Sequence, residues 1–218
     1  MRLTELLEPQ RATPRKSKSS TVPEVFILES LSLIDEAKER REGAVLAAVL
    51  KMCGKNPLYY YFRTKAELEM LVEEYEASGY RYLHLSCHGG ETSLETTINS
   101  IPYRTVARIL ESKLADRRLF VSACSAGNEL FSDLVKDRND DVISIAAPTT
   151  DIPFDHAVAF WSAFYVKSFS INRKSMSSHK IAEVFGPLVT LFNAPMQLSF
   201  WDRGRWVHDC IEGDGAEE

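Results

Sequence analysis

Two segments decide the fold: YRYLHLSCHGG at residues 80–90 and RRLFVSACSAGN at residues 117–128. Each contains a short, mostly apolar run of the kind that forms a buried strand in a parallel sheet. Directly after the runs come His88 in the first segment and Cys124 in the second, each among small residues. Because the carboxyl ends of parallel strands meet at one edge of a sheet, we expect the imidazole and the thiol to lie close together.

The rest of the chain alternates strand-like runs with segments of helical periodicity. Strands are predicted at residues 24–28, 58–62, 80–87, 117–123 and 141–147. Helices are predicted at residues 33–53, 64–78, 103–114, 128–138 and 154–169. This order predicts an α/β fold with a mostly parallel sheet and helices on both faces.

The C-terminal part departs from this alternation. HKIAEVF at residues 179–185 has helical periodicity, which Gly186-Pro187 is expected to interrupt. MQLSFWDRGRWVHDC at residues 196–210 predicts a hairpin that turns near residues 202–204. We expect this hairpin to pair at an edge of the sheet.

Composition indicates one soluble globular domain. The 218 residues are 44% hydrophobic and 26% charged. Residues 1–23 include a stretch rich in Pro, Ser, Thr and basic side chains, and residues 213–218 are acidic. We therefore expect the globular domain at residues 24–212, between a flexible basic tail and an acidic tail.

Charge and cysteine usage restrict the partners and the compartment. A net charge of −5 argues against direct nucleic-acid binding and favours protein or peptide partners. The sequence has no apolar run long enough for a membrane span and no secretory signal pattern, so we expect a cytoplasmic protein without membrane contact. Its four cysteines lack CxxC spacing and are expected to be free thiols.

A neighbouring thiol and imidazole can together perform nucleophilic catalysis. A free cysteine has a pKa of about 8.5 and is mostly protonated at neutral pH, so a base must take its proton. His88 is the candidate base and Cys124 the candidate nucleophile. No metal or cofactor is needed for this chemistry, and we expect none.

The motifs SCHGG at residues 86–90 and VSACSAGN at residues 121–128 resemble the catalytic motifs of caspase-like (clan CD) cysteine peptidases. The bacterial CHAT-type branch is the most similar. In this family one strand ends in His-Gly and the next in Ala-Cys. The resemblance extends over roughly residues 80–170, but Ser125-Ala126-Gly127 replaces the acidic-polar-Gly turn that CHAT members often have.

This resemblance implies a caspase-like fold and a cysteine endopeptidase with a His88/Cys124 dyad, for which no third acidic residue is required. It also implies an oxyanion hole formed by the N–H groups of Gly89 and Cys124. Asp151 and Asp155 lie in the loop after the fifth strand, where they are expected to favour a Lys or Arg at the cleaved position, as in relatives such as separase.

The resemblance further implies a specific protein substrate and regulation by a separately encoded sensor or activator protein. It suggests a role in bacterial defence or regulated cell death. The alternative is a caspase-like scaffold or interaction module without catalysis. A small-molecule-binding α/β domain would need phosphate-binding loops, and the sequence shows no such loop. A zinc site does not fit the spacing of its four candidate ligands, His84, Cys87, His88 and Cys124.

Overall fold

The computed structural model describes residues 21–213. Its elements, in chain order, are β1 (Val22–Glu29), α1 (Leu33–Ala37), α2 (Glu42–Met52), β2 (Leu58–Tyr61), α3 (Lys65–Ser78), β3 (Tyr80–Ser86), β4 (His88–Gly89), β5 (Ser93–Glu95), β6 (Ser100–Pro102), α4 (Tyr103–Ile109), β7 (Arg118–Ser122), α5 (Glu129–Lys136), β8 (Ser144–Pro148), α6 (Phe154–Ile171), α7 (Ser178–Phe192), β9 (Met196–Asp202) and β10 (Arg205–Ile211).

A seven-stranded sheet in the order β10-β9-β8-β7-β3-β1-β2 forms the centre of the molecule. The strands from β8 to β2 are parallel, whereas β9 and β10 form an antiparallel hairpin that extends the sheet beyond β8. These observations confirm the predicted α/β fold with a mostly parallel sheet. The predicted C-terminal hairpin at the sheet edge is also confirmed.

Alternating side chains of the central strands fill a separate hydrophobic core on each face of the sheet. Leu83 and Leu85 pack with α3, α4 and α5, whereas Tyr82 packs with α2, α6 and α7. Phe120 on β7 is on the same side as Tyr82. This period of two, with apolar residues on both faces, is the pattern of a strand covered by helices on both sides.

The register between β3 and β7 places the two sequence motifs side by side. Ser86 pairs with Ser122 in a parallel ladder. His88 and Cys124 each follow their paired serine by two residues. The two side chains that could perform chemistry therefore emerge at matching positions from neighbouring strands.

The single helix predicted over residues 33–53 is wrong. Two helices, α1 and α2, occupy this range, and the chain turns between them at residues 38–41. Glu39 in this turn has a left-handed backbone, with φ of 54°. The helix propensity of these residues favoured one continuous helix, but in the structure the helix ends at Ala37. The side chains of α1 and α2 therefore do not share one helical periodicity.

The predicted interruption at Gly186-Pro187 is also wrong, because α7 continues through both residues. Proline usually disrupts a helix interior by removing an N–H donor and by crowding the preceding turn. Here Pro187 is exposed, while Ile181 and Phe185 on one side of it and Val189 on the other are buried. Packing of this apolar face against the sheet outweighs the local signal.

Three short strands that the sequence did not predict follow β3. They form a small antiparallel sheet in the order β4-β5-β6. In this sheet His88 lies opposite Glu95, and Gly89 lies opposite Leu94. The His-Gly motif is therefore held by strand pairing rather than in an open loop.

The domain limits and the tails are only partly described by the structure. β1 begins at Val22, two residues before the predicted start of the domain at residue 24. Residues 1–20 of the predicted basic tail and residues 214–218 of the predicted acidic tail lie outside the described residues. Within residues 21–213, none of the helices is both long and apolar enough to cross a lipid bilayer.

Gly127 packs so closely against β8 that a Cβ at this position would lie 2.4 Å from the carbonyl oxygen of Ala147. We expect Gly127→Ala to lower the free energy of unfolding by about 1–3 kcal/mol, since the backbone of the Cys124 turn must move away from β8. Urea unfolding measures the change.

Gly186→Ala is the matched control. Gly186 lies inside α7, and a Cβ there would have no neighbour within 4 Å. Alanine should raise the stability by about 0.5–1 kcal/mol, because glycine is a poor helix former. Equal effects of the two substitutions would contradict the proposed steric role of Gly127.

Candidate active site

A cleft of about 220 Å³ lies at the carboxyl ends of β3 and β7. His88 and Cys124 both line it. The structure thus brings the two predicted residues into one cleft at the sheet edge where parallel α/β folds usually bind their ligands.

Cys124 begins a tight turn that is fixed to the loop after β8. Ser125 has a left-handed backbone, with φ of 56°, and its N–H donates to the carbonyl oxygen of Thr150. The N–H of Gly127 donates to the carbonyl oxygen of Pro148 at 2.7 Å. The Sγ atom of Cys124 is 4.0 Å from the carbonyl oxygen of Ile152. Loop and turn together hold a partly exposed thiol at the cleft.

Gly89 packs directly against the backbone that carries Cys124. A Cβ on Gly89 would lie 2.9 Å from both the carbonyl oxygen of Cys124 and the Cβ of Ala123. Only glycine allows this approach without a displacement. The predicted oxyanion-hole residues, Gly89 and Cys124, are therefore neighbours in the structure, and their role stays a prediction.

Asp35 is a cleft residue that the sequence did not reveal. Its Oδ2 atom lies 2.7 Å from the Nε2 atom of His88. The sequence motifs required no third acidic residue and named none, and the structure places this one beside the predicted base. Because Nε2 bonds to Asp35, Nδ1 is the ring nitrogen that remains for the thiol of Cys124.

The Asp35 carboxylate is buried and held from several sides. Ser32, the N-cap of α1, donates its hydroxyl to Oδ2 at 2.5 Å, and Arg40 donates to Oδ1 at 3.1 Å. Burial on its own would raise the pKa of Asp35, but the hydrogen bonds from Ser32, His88 and Arg40 outweigh it and hold this pKa below its usual range. The group facing His88 is accordingly a carboxylate at neutral pH.

A weak sequence signal for Asp35 exists. Ser32 precedes Asp35 by three residues, which is a helix-start pattern, and the structure shows the Asp35 N–H donating to the Ser32 hydroxyl. The pattern locates the start of a helix, but it contains nothing that connects residue 35 with residue 88. That connection depends on the tertiary fold.

A second thiol, that of Cys87, also lines the cleft. Burial strongly raises the pKa of this thiol, with a smaller contribution from the nearby Glu42 and Glu95 carboxylates. Since the thiolate is the reactive form, Cys87 is poorly suited to act as a nucleophile.

Within residues 21–213, no three His, Cys, Asp or Glu side chains are arranged to hold a metal ion.

Asp151 and Asp155, the predicted substrate-binding residues, do not line the Cys124 cleft. Asp151 is exposed and accepts a hydrogen bond from the Ser125 hydroxyl at 3.3 Å, next to Cys124. Asp155 lies in the first turn of α6 and lines a broader neighbouring cleft together with Arg41. Recognition of a basic side chain by these two residues stays a prediction.

A different carboxylate, that of Glu42 at the start of α2, lines the cleft instead. Its side chain accepts hydrogen bonds from the hydroxyl of Ser86 at 2.9 Å and from the hydroxyl of Ser122 at 3.0 Å. No sequence pattern indicated this contact, because residue 42 was expected in the middle of a long helix.

A Ser-His-Asp arrangement lies outside the cleft, between the C-terminal hairpin and α5. The Ser199 hydroxyl is 2.8 Å from Nδ1 of His208, whose Nε2 atom is 3.3 Å from the Asp133 carboxylate. Ser199 is fully buried and donates its proton to the Ser132 hydroxyl. A substrate cannot reach it, so this network stabilises the packing of the hairpin on α5.

Solved structures with similar folds include two cysteine proteases. The Arg-specific cysteine proteinase gingipain R matches 78% of this chain and 43% of its own length, with a TM-score of 0.53 and 15% identity. Caspase-1 from Spodoptera frugiperda matches 87% of this chain and 85% of its own length, with the same TM-score of 0.53 and the same identity of 15%. No protein-family model and no curated protein match the sequence.

These similarities define the class of fold. The chain has a caspase-like fold, shared with clan CD cysteine proteases, in which helices flank a mostly parallel sheet. It spans less than half of the length of gingipain R. At this level of identity the similarity establishes the fold, whereas the chemistry has to be argued from the cleft itself.

The depressed pKa of Asp35 predicts how stability depends on pH. A carboxylate whose pKa is lowered by folding contributes stability above its unfolded pKa, about 3.9, and loses it as the pH falls through the folded value. We expect the difference in unfolding free energy between wild type and Asp35→Asn to be largest near neutral pH and to shrink below about pH 4.

Urea unfolding from about pH 7 to about pH 2.5 measures this difference at each pH. Repeating the comparison in a His88→Ala background isolates the contribution of the imidazole. A difference that stays constant over the whole range would show that the fold does not favour the Asp35 carboxylate.

Proposed function

We propose that this chain is a cysteine endopeptidase in which Cys124 is the nucleophile, His88 is the base and Asp35 positions the imidazole. One observation carries the proposal: a carboxylate-bound imidazole and a turn-held thiol line the same cleft of a caspase-like fold. A thiol, a base and a group that orients the base, gathered in one cleft, are the parts of a nucleophilic catalytic site.

The reaction begins when Nδ1 of His88 takes the proton of the Cys124 thiol. The thiolate attacks the peptide carbonyl carbon, forming a C–S bond while the carbonyl π electrons move to oxygen. The N–H groups of Gly89 and Cys124 stabilise this oxyanion. When the intermediate collapses, the C–N bond breaks and His88 returns the proton to the leaving amine. Water, deprotonated by His88, then hydrolyses the thioester and regenerates the thiol.

Asp35 contributes by holding the imidazole. Its hydrogen bond to Nε2 fixes the orientation of the His88 ring and stabilises the imidazolium form that exists between the two proton transfers. Because Ser32 and Arg40 in turn hold Asp35, the carboxylate does not need to reorganise during the reaction.

The substrate is a specific protein, and the residue before the cut is basic. The acidic residues around the cleft support a basic side chain, and the similar gingipain R is itself Arg specific. From the sequence, the expected partners of this side chain are two exposed carboxylates, Asp151 beside Cys124 and Asp155 in the neighbouring cleft.

We also propose a biological setting on the basis of the sequence motifs. Their similarity to the CHAT-type branch supports a bacterial protease in the cytoplasm, where a reducing environment keeps the Cys124 thiol free. The same similarity supports control by a separately encoded sensor or activator and a role in defence or cell death. The net charge of −5 favours protein rather than nucleic-acid partners.

Cleavage of a mixed-sequence peptide library under reducing conditions tests the proposed activity. Wild type is expected to cleave, and Cys124→Ala and His88→Ala are expected to lose cleavage. We expect Asp35→Asn to lower kcat by about 10–100-fold with a smaller effect on KM, because it misorients the base without removing it. Candidate activator proteins are added in a second arm.

Cys87→Ala is the matched control, since it removes the other thiol of the same cleft and should retain most of the activity. Labelling with an uncharged electrophile provides a second readout that does not require turnover, and it should modify Cys124 before Cys87. Failure of wild type both to cleave and to be labelled at Cys124 would indicate a non-catalytic caspase-like module instead.

A further inference from the structure

The deepest charged group of the cleft is Glu42. Its side chain is on the first residue of α2, and the residue is only 3% exposed, yet it lines the same cleft as His88 and Cys124. The hydroxyls of Ser86, the last residue of β3, and Ser122, the last residue of β7, both donate to Glu42. Each of these serines lies two residues before a residue of the proposed dyad. The carboxylate is therefore held at the ends of the same two strands that lead to the dyad.

Only one of the two carboxylate oxygens of Glu42 is satisfied. Oε2 accepts both serine hydroxyls, whereas Oε1 is buried and has no hydrogen-bond partner among the described residues. Nε2 of His84, which is also buried without a hydrogen-bond partner among the described residues, is 3.7 Å from Oε1, within ion-pair distance but beyond hydrogen-bond distance. Buried carboxylate oxygens are seldom left without a donor, because desolvation is then uncompensated. Because Glu42 lines the cleft, its unpaired oxygen is suited to a donor that enters with a ligand.

The charges of the cleft are otherwise matched. Asp35 is paired with Arg40 and with His88. Glu42 has no Lys or Arg partner among residues 21–213. Its place in the first turn of α2 is favourable for a negative charge, which the helix dipole stabilises. The cleft thus contains one carboxylate that is paired with an arginine and a second, Glu42, whose nearest basic group is the imidazole of His84.

We propose that Glu42 binds the positively charged end of a Lys or Arg side chain on the substrate residue that precedes the cleaved bond. This inference rests on the proposed peptidase function. A basic side chain supplies a hydrogen-bond donor for Oε1 and a positive charge that compensates the carboxylate. Glu42, rather than Asp151 or Asp155, then determines the specificity.

Two peptide aldehydes that differ only in the last residue, arginine or norleucine, test the proposal without turnover. Calorimetry gives their Kd values for wild type, Glu42→Gln, Asp151→Asn and Asp155→Asn. We expect wild type to bind the arginine aldehyde about 10–100-fold more tightly than the norleucine aldehyde, as for a charged hydrogen bond in a buried site. Glu42→Gln should reduce this ratio to about onefold, and the two aspartate variants should retain it.

Glu29→Gln is the matched control, because Glu29 is a second fully buried carboxylate close to α2. Its oxygens are both satisfied, by the Gly43 N–H at 2.7 Å and the Tyr59 hydroxyl at 2.6 Å, and it does not line the cleft. The arginine preference should be unchanged in this variant. Glu42→Asp, which keeps the charge, should retain a preference for arginine even if Glu42→Gln unfolds.

The outcomes separate the two proposals. An unchanged arginine preference in Glu42→Gln, or its loss in Asp151→Asn or Asp155→Asn alone, would overturn the role of Glu42 while leaving the peptidase intact. Equal binding of both aldehydes to a wild type that cleaves peptides would do the same. Absence of cleavage, of Cys124 labelling and of aldehyde binding in wild type would overturn the peptidase proposal and, with it, this inference.

Discussion

The parallel pairing of β3 with β7 is the constraint on which the cleft depends. With Ser86 opposite Ser122, both strands end at the same height, and the residues that follow them face one cleft. A slip of the register by one residue would turn the side chains of one strand to the other face of the sheet. Apolar packing on both faces prevents such a slip, so the hydrophobic cores determine the geometry of the polar site.

The features that follow from periodicity could be predicted from the sequence, and those that depend on long-range contacts could not. Buried strands and the two motif residues, His88 and Cys124, were recognisable because a strand and its end are local patterns. The turn between α1 and α2 was not, because its charged residues suit a helix equally well. Asp35 and Glu42 flank that turn, so missing it concealed both of their contacts with the cleft.

Two carboxylates near one imidazole and one thiol are held in opposite ways. Asp35 accepts hydrogen bonds at both oxygens and is compensated by charge, which suits a group that must stay in place. Glu42 is compensated by hydroxyl groups at one oxygen alone, which suits a group whose partner arrives with a ligand. The number of hydrogen-bond donors on each carboxylate, rather than its distance from the thiol, is what assigns Asp35 to orienting the imidazole and Glu42 to binding a ligand.

Gly127 shows that intolerance to substitution and participation in chemistry are separate properties in this chain. The carbonyl oxygen of Ala147 leaves no room for any side chain at position 127, so that position admits one amino acid for steric reasons alone. A deep mutational scan selecting for function would therefore rank Gly127 beside Cys124, although a chemical role is proposed for Cys124 alone of the two. The positions around this turn that tolerate no substitution would therefore mark the contact between β7 and β8 as well as the residues that contact the substrate.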